Sequence, residues 1–158
     1  MSSTCIDVPQ PTAELTCAPW RTDAELRLSW LNRRASHLRK LFDKDLTEAV
    51  LDAHRLTTAL GVPVELVFDQ LAGVDGRQDA LLIPLVRTGG FRIVVDSQVT
   101  PAGAASGRAD RSLTASLVAH EIGHLQFYSA GRPPRRRVPW IPEEEGLCDT
   151  FARRLLEG

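Results

Sequence analysis

The sequence predicts an α+β domain in which helices pack on a small antiparallel sheet. Stretches before residue 61 and after residue 109 carry apolar residues at helical spacing. Between them, residues 63–96 hold short apolar runs of strand composition. Two of these runs flank Thr88-Gly89-Gly90, a short glycine turn of the kind that joins hairpin strands.

Taken in order, residues 1–20 hold three prolines among small polar residues and predict an arm of low order, leaving residues 21–158 as one domain. Thr22 or Asp23 can cap a first helix running to about Phe42, with Leu26, Leu28, Trp30, Leu31, Leu38 and Leu41 as apolar positions. Arg27, Arg33, Arg34, Arg39 and Lys40 make it basic, which reads as a solvated face. A second helix is expected from Leu46 to Leu60, ended by Gly61. Pro63–Phe68, Asp79–Arg87 and Phe91–Asp96 are the strand candidates. Residues 97–109 read as a loop. Asp110 or Ser112 is expected to cap a long helix to about Tyr128. Residues 129–140 form a second loop, and Pro142 suits the first turn of a last helix through Leu156.

Composition narrows the function classes. The chain has 158 residues, 43% hydrophobic and 25% charged, as a soluble globular domain does. A net charge of −1 gives no general attraction to nucleic acid or an anionic membrane. No apolar run approaches the roughly 20 residues of a membrane span. The N-terminal residues lack the basic start and apolar core of a secretory signal. The three cysteines, Cys5, Cys17 and Cys148, form no CxxC pair and fit a reducing, cytoplasmic setting. Cys5 and Cys17 read as free thiols of the arm.

The chemistry lies in His120-Glu121-Ile122-Gly123-His124. Histidines four apart on a helix stand one turn above each other, so both imidazoles face the same way and suit Zn²⁺. Glu121 flanks that face, where its carboxylate can take a proton from an attacking water. The surrounding helix is apolar at Leu113, Ala115, Leu117, Val118, Ile122, Leu125 and Phe127, which predicts burial. Ionisable groups within it then need partners. Gly123 costs a helix about 1 kcal/mol against alanine, and beside Ala119 it predicts close approach of a neighbouring backbone. A catalytic zinc site wants a third protein ligand, for which Glu143, Glu144, Glu145, Cys148 and Asp149 are the candidates. The favourable field of a helix N-terminus suffices to explain Glu143 and Glu144. Glu145 and Asp149 share one helix edge beside the stripe Cys148, Phe151, Ala152 and Leu155, so one carboxylate can bind the ion while the other orients a histidine. Cys148 reads as a small buried hydrophobe.

HEIGH followed some twenty residues later by Glu145-Gly-Leu-Cys-Asp149-Thr-Phe151-Ala152-Arg-Arg-Leu155-Leu156 resembles the ImmA/IrrE group of bacterial metallopeptidases, whose pattern is HExGH and then E-x-x-A-[DN]-x-F-A-x-x-L-L. The likeness covers roughly residues 45–156. It implies a compact zincin-like, minimal gluzincin domain. It implies His120, His124 and Glu145 as zinc ligands, Glu121 as catalytic base, and Asp149 as the carboxylate that orients a ligand histidine. Cys148 stands where the family usually has alanine, and Tyr128 where many members carry another histidine. The Tyr128 hydroxyl is a candidate to stabilise an oxyanion, although packing as an ordinary core residue is the favoured reading.

The reaction expected is zinc-assisted hydrolysis of a peptide bond in a protein substrate. An extended substrate would add a strand to an exposed sheet edge, for which Phe91–Asp96 is the candidate. By resemblance, the substrate would be a helix-turn-helix transcriptional repressor encoded nearby, whose cleavage or inactivation releases stress-response or mobile-element genes. The partner would be that protein and not DNA, since no convincing recognition helix precedes residues 55–66. Arg132, Arg135, Arg136 and Arg137 read as a solvated linker. The alternative function is a metal-binding regulatory module that binds a repressor or a toxin–antitoxin partner without cutting it.

Overall fold

The computed structural model describes residues 24–69, 71, 79–97, 108–136 and 138–158. The expectations for the N-terminal arm, Cys5, Cys17, the Thr22 or Asp23 cap and most of the 97–109 loop lie outside the described residues.

Helix α1 spans Ala24–Phe42. Trp30, Leu31, Ala35, Leu38 and Phe42 recur at helical spacing and are at most 4% exposed, so this stripe faces the core. Leu26, Leu28 and Leu41 lie off the stripe and are exposed, against expectation. The single helix predicted over Leu46–Leu60 is two, α2 (Leu46–Val50) and α3 (Ala53–Leu60). The break is at Asp52, whose carboxylate accepts the backbone N–H groups of His54 (3.0 Å) and Arg55 (3.3 Å) and so starts a new helix. Gly61, at φ 73°, ends α3 as its position suggested. Thr57 Oγ1 then accepts the Val64 N–H (3.0 Å), joining α3 to the first strand.

The strands are β1 (Val64–Asp69), β2 (Ala80–Pro84) and β3 (Phe91–Asp96), in the order β1-β3-β2. β2 and β3 form the predicted antiparallel hairpin, from Ala80↔Val95 to Pro84↔Phe91. β1 joins β3 in parallel, from Val64↔Phe91 to Asp69↔Asp96, so the sheet is mixed and not antiparallel. β3 is therefore the central strand and cannot be the edge that was expected to receive a substrate. Its composition agrees with this place: Phe91, Ile93, Val94 and Val95 are all buried, the near-continuous apolar run of a strand covered on both faces.

Helix α4 (Arg108–Ser129) and helix α5 (Pro142–Glu157) complete the fold, which is α+β with five helices and three strands among the described residues. α4 begins before Asp110 and Ser112, so neither is its cap. It packs on β2, β3 and α5, and α1 packs on α5 and also reaches α4, where Trp30 meets Phe127. From Val118 to Phe127 nearly every side chain of α4 is buried, whereas Leu113, toward its start, is 47% exposed. Gly123 meets α5 as expected: a Cβ there would stand 3.0–3.2 Å from the Sγ, Cβ and Cα of Cys148. Among the described residues, no helix is long and apolar enough to cross a membrane.

Candidate metal centre

The close approach of Gly123 to Cys148 sets the middle of α4 against the first turns of α5. His120 and His124 thereby face Glu145. His120 Nε2 lies 3.0 Å from Glu145 Oε1, and His124 Nε2 lies 3.0 Å from Glu145 Oε2. Each imidazole is held from behind by a second carboxylate: His120 Nδ1 is 2.7 Å from Asp149 Oδ1, and His124 Nδ1 is 2.6 Å from Glu144 Oε2. A carboxylate on Nδ1 keeps the proton there and turns the Nε2 lone pair toward the site.

The donor set fits zinc. One ligand atom each from His120, His124 and Glu145 lie within 4.8 Å of one another. Zinc bonds of about 2.0–2.1 Å in a tetrahedral frame place neighbouring donors about 3.3 Å apart, close to the 3.0 Å from each Nε2 to Glu145. His124, Glu144 and Cys148 form a second close group. The Arg132 guanidinium lies on both oxygens of Glu144, at 3.0 and 2.5 Å, and a cation so placed opposes a metal ion on that side. Cys148 is fully buried, and burial pushes its thiol up to about 11, in keeping with a small core residue.

The charges of the cluster are mutually set. Burial alone would lower the pKa of His120, but the Glu145 hydrogen bond and the nearby carboxylate of Glu121 outweigh it and raise it. Burial likewise opposes charge on His124, and Cys148, Glu144 and Glu145 outweigh it, so its pKa is also raised. Glu145 would be raised by burial, but its two histidine partners hold it at about 2.

Glu121 is 7% exposed, and burial raises its pKa. The backbone N–H of Leu82 on β2 favours the ionised carboxylate, but burial outweighs it. The hairpin register explains why that N–H is turned outward. Asp96 N–H donates to the Asp79 carbonyl (2.8 Å) and Leu85 N–H to that of Gly90 (3.0 Å), so the odd-numbered residues of β2 exchange bonds with β3. Ala80, Leu82 and Pro84 then direct their backbone groups away from β3. A cleft of about 460 Å³ runs between this edge, the two histidines, Glu145 and the loop residues Val138, Pro139 and Trp140.

The field of the helix N-terminus does not suffice to explain Glu144: it is 4% exposed and paired with His124 and Arg132. The signal was present, since Glu144 stands one turn before Cys148 and so extends the buried stripe Cys148, Phe151, Leu155. Arg132 is likewise no part of a solvated linker, being 7% exposed, whereas Arg135 and Arg136 are exposed. Arg137 lies outside the described residues. Tyr128 is half-buried against Phe91, with ring centroids 5.3 Å apart, and Arg132 lies 5.5 Å from its ring centre. It is not among the residues lining the cleft.

Comparison of the chain with family models, curated proteins and solved structures finds no match. The case for function therefore rests on these residues and their geometry.

Proposed function

We propose that the chain is a zinc-dependent endopeptidase with a zincin-like fold. The supporting observation is the convergence of His120 Nε2 and His124 Nε2 on Glu145, each 3.0 Å away, with each Nδ1 held by a separate carboxylate. Zinc held by these three residues would polarise the carbonyl of a scissile bond and make water a nucleophile near neutral pH. Glu121 takes the proton of the attacking water and passes it to the leaving amine. Its burial strengthens it as a base, and it lines the cleft together with His120, His124 and Glu145.

The edge that serves an extended substrate is β2, not β3. Ala80 and Leu82 line the cleft, and their backbone groups face away from β3. A polypeptide laid along β2 as an added strand would bring one peptide bond past His120, His124 and Glu121. The substrate class suggested by the resemblance is a helix-turn-helix repressor.

Zinc analysis paired with a cleavage assay tests the reading. The parent protein is expected to hold one zinc per chain, Glu121→Gln to keep the zinc and lose cleavage, and His124→Ala to lose the zinc. A zinc-loaded protein that forms a stable complex with the repressor and yields no fragments would replace the peptidase with the non-cleaving regulatory module.

A further inference from the structure

Two charged side chains beside the metal centre are buried together. Arg132 is 7% exposed and Glu144 is 4% exposed. Such a pair contributes little net stability, because the loss of hydration offsets most of the attraction. It gives direction instead. Glu144 Oε2 accepts both His124 Nδ1 (2.6 Å) and Arg132 (3.0 Å), while Oε1 accepts the other arm of the guanidinium (2.5 Å). This two-point grip fixes the carboxylate plane against the imidazole.

Arg132 is itself held. Its backbone N–H donates to the Phe127 carbonyl (3.1 Å), after a turn that Gly131 makes at φ 111°. Its guanidinium lies over Phe127, 4.8 Å from the ring centre. The carboxylate behind His120 is placed differently: Asp149 has a side chain 62% exposed.

We propose that Arg132 and Glu144 are a positioning pair that sets His124 as a metal ligand, the buried guanidinium holding Glu144 in the one orientation that leaves His124 Nε2 facing Glu145. The inference rests on the reading of His120, His124 and Glu145 as zinc ligands. It assigns Glu144 a task distinct from theirs, since Arg132 keeps the ion off its oxygens.

Zinc affinity, measured by competition with a chelator, tests it on the full chain. Glu144→Gln is expected to weaken zinc roughly 10- to 100-fold, as loss of a carboxylate behind a ligand histidine does. Arg132→Lys keeps the charge but not the two-point grip and is expected to weaken zinc by a smaller factor. The double exchange Arg132→Glu with Glu144→Arg restores an ion pair but sets a guanidinium against His124 Nδ1. Cobalt spectra are expected to show a disturbed ligand field in this exchange, with zinc affinity still low. An exchange that recovers parental affinity would overturn the proposal and leave the pair a purely structural contact. Glu144→Gln within about threefold of the parent would overturn it also, and that comparison decides if the exchange does not fold. A parent protein that binds no zinc would instead sink the metal reading, and this inference with it.

Discussion

Gly123 shows how one residue can set two opposed effects against each other. Alanine there would gain the helix about 1 kcal/mol in propensity. Its Cβ would also press on Cys148, including the Cα at 3.2 Å, where backbone must give way. Overpacking of this kind costs about 1–3 kcal/mol, so Gly123→Ala is expected to destabilise the protein by ~1 kcal/mol and to part the two site helices. Denaturant unfolding measures it, and a stabilised variant would show that α5 yields freely. The ionisable residues predict the pH dependence of zinc-free protein. Glu144 and Glu145 have pKa values below the ordinary 4.5, so their contribution is present above about pH 4.5 and is lost as pH falls through the folded values, about 2 for Glu145. His120 and His124 are raised above the ordinary 6.5, so theirs is complete below that pH and is lost as pH rises through the folded values. Glu121, raised by burial from 4.5, also favours the acid side. Zinc-free protein should therefore be most stable between about pH 4.5 and 6.5, by thermal unfolding with chelator. Zinc needs both Nε2 atoms deprotonated, so its stabilising effect should grow toward pH 8. A zinc-free Tm that climbs steadily from pH 5 to 8 would contradict the ion-pair network.

At the scale of elements, local chemistry and partner choice part company. Asp52 starts α3 through two backbone hydrogen bonds, so Asp52→Ala is expected to cost ~1 kcal/mol of stability, readable as a lower denaturation midpoint. That cap divides residues 46–60, expected as one helix, into two. The hairpin was legible because a two-strand turn is local, with Gly89 and Gly90 at φ 78° and 88°. The place of β1 was not: either edge of a hairpin can accept a third strand in either direction, and which one does depends on what the helices leave uncovered. β2 permits a direct test of substrate addition. The Ala80 N–H is directed away from β3, so Ala80→Pro removes it without breaking the ladder. One lost hydrogen bond of ~1 kcal/mol corresponds to a KM about fivefold higher, with zinc content unchanged. An unaltered KM across several peptides would move the substrate off this edge.

At the scale of the molecule, the cleft is assembled from β2, α4, α5 and the loop before α5, segments far apart in the chain. Trp140 stands at its rim, 69% exposed beside Val138 and Pro139. If the cleft takes a peptide as proposed, an indole left in water beside it suits an apolar substrate side chain. Trp140→Ala is accordingly expected to raise KM for peptides with a large apolar residue near the scissile bond and to spare small polar ones. An equal loss for both classes would remove Trp140 from the specificity surface.

The sequence by itself determined what depends on neighbours a turn or a few residues away. It placed both histidines on one face of a helix, put Glu145 and Asp149 on one edge of the next, ended α3 at Gly61 and closed the hairpin at its glycines. Periodicity and backbone sterics act locally, so they can be read from spacing. Only the tertiary structure decided the parallel pairing of β1, the choice of β2 as the edge beside the site, and the return of Arg132 from the loop to Glu144. Each of these turns on which surfaces, distant in sequence, lose their water together, and no local pattern carries that information.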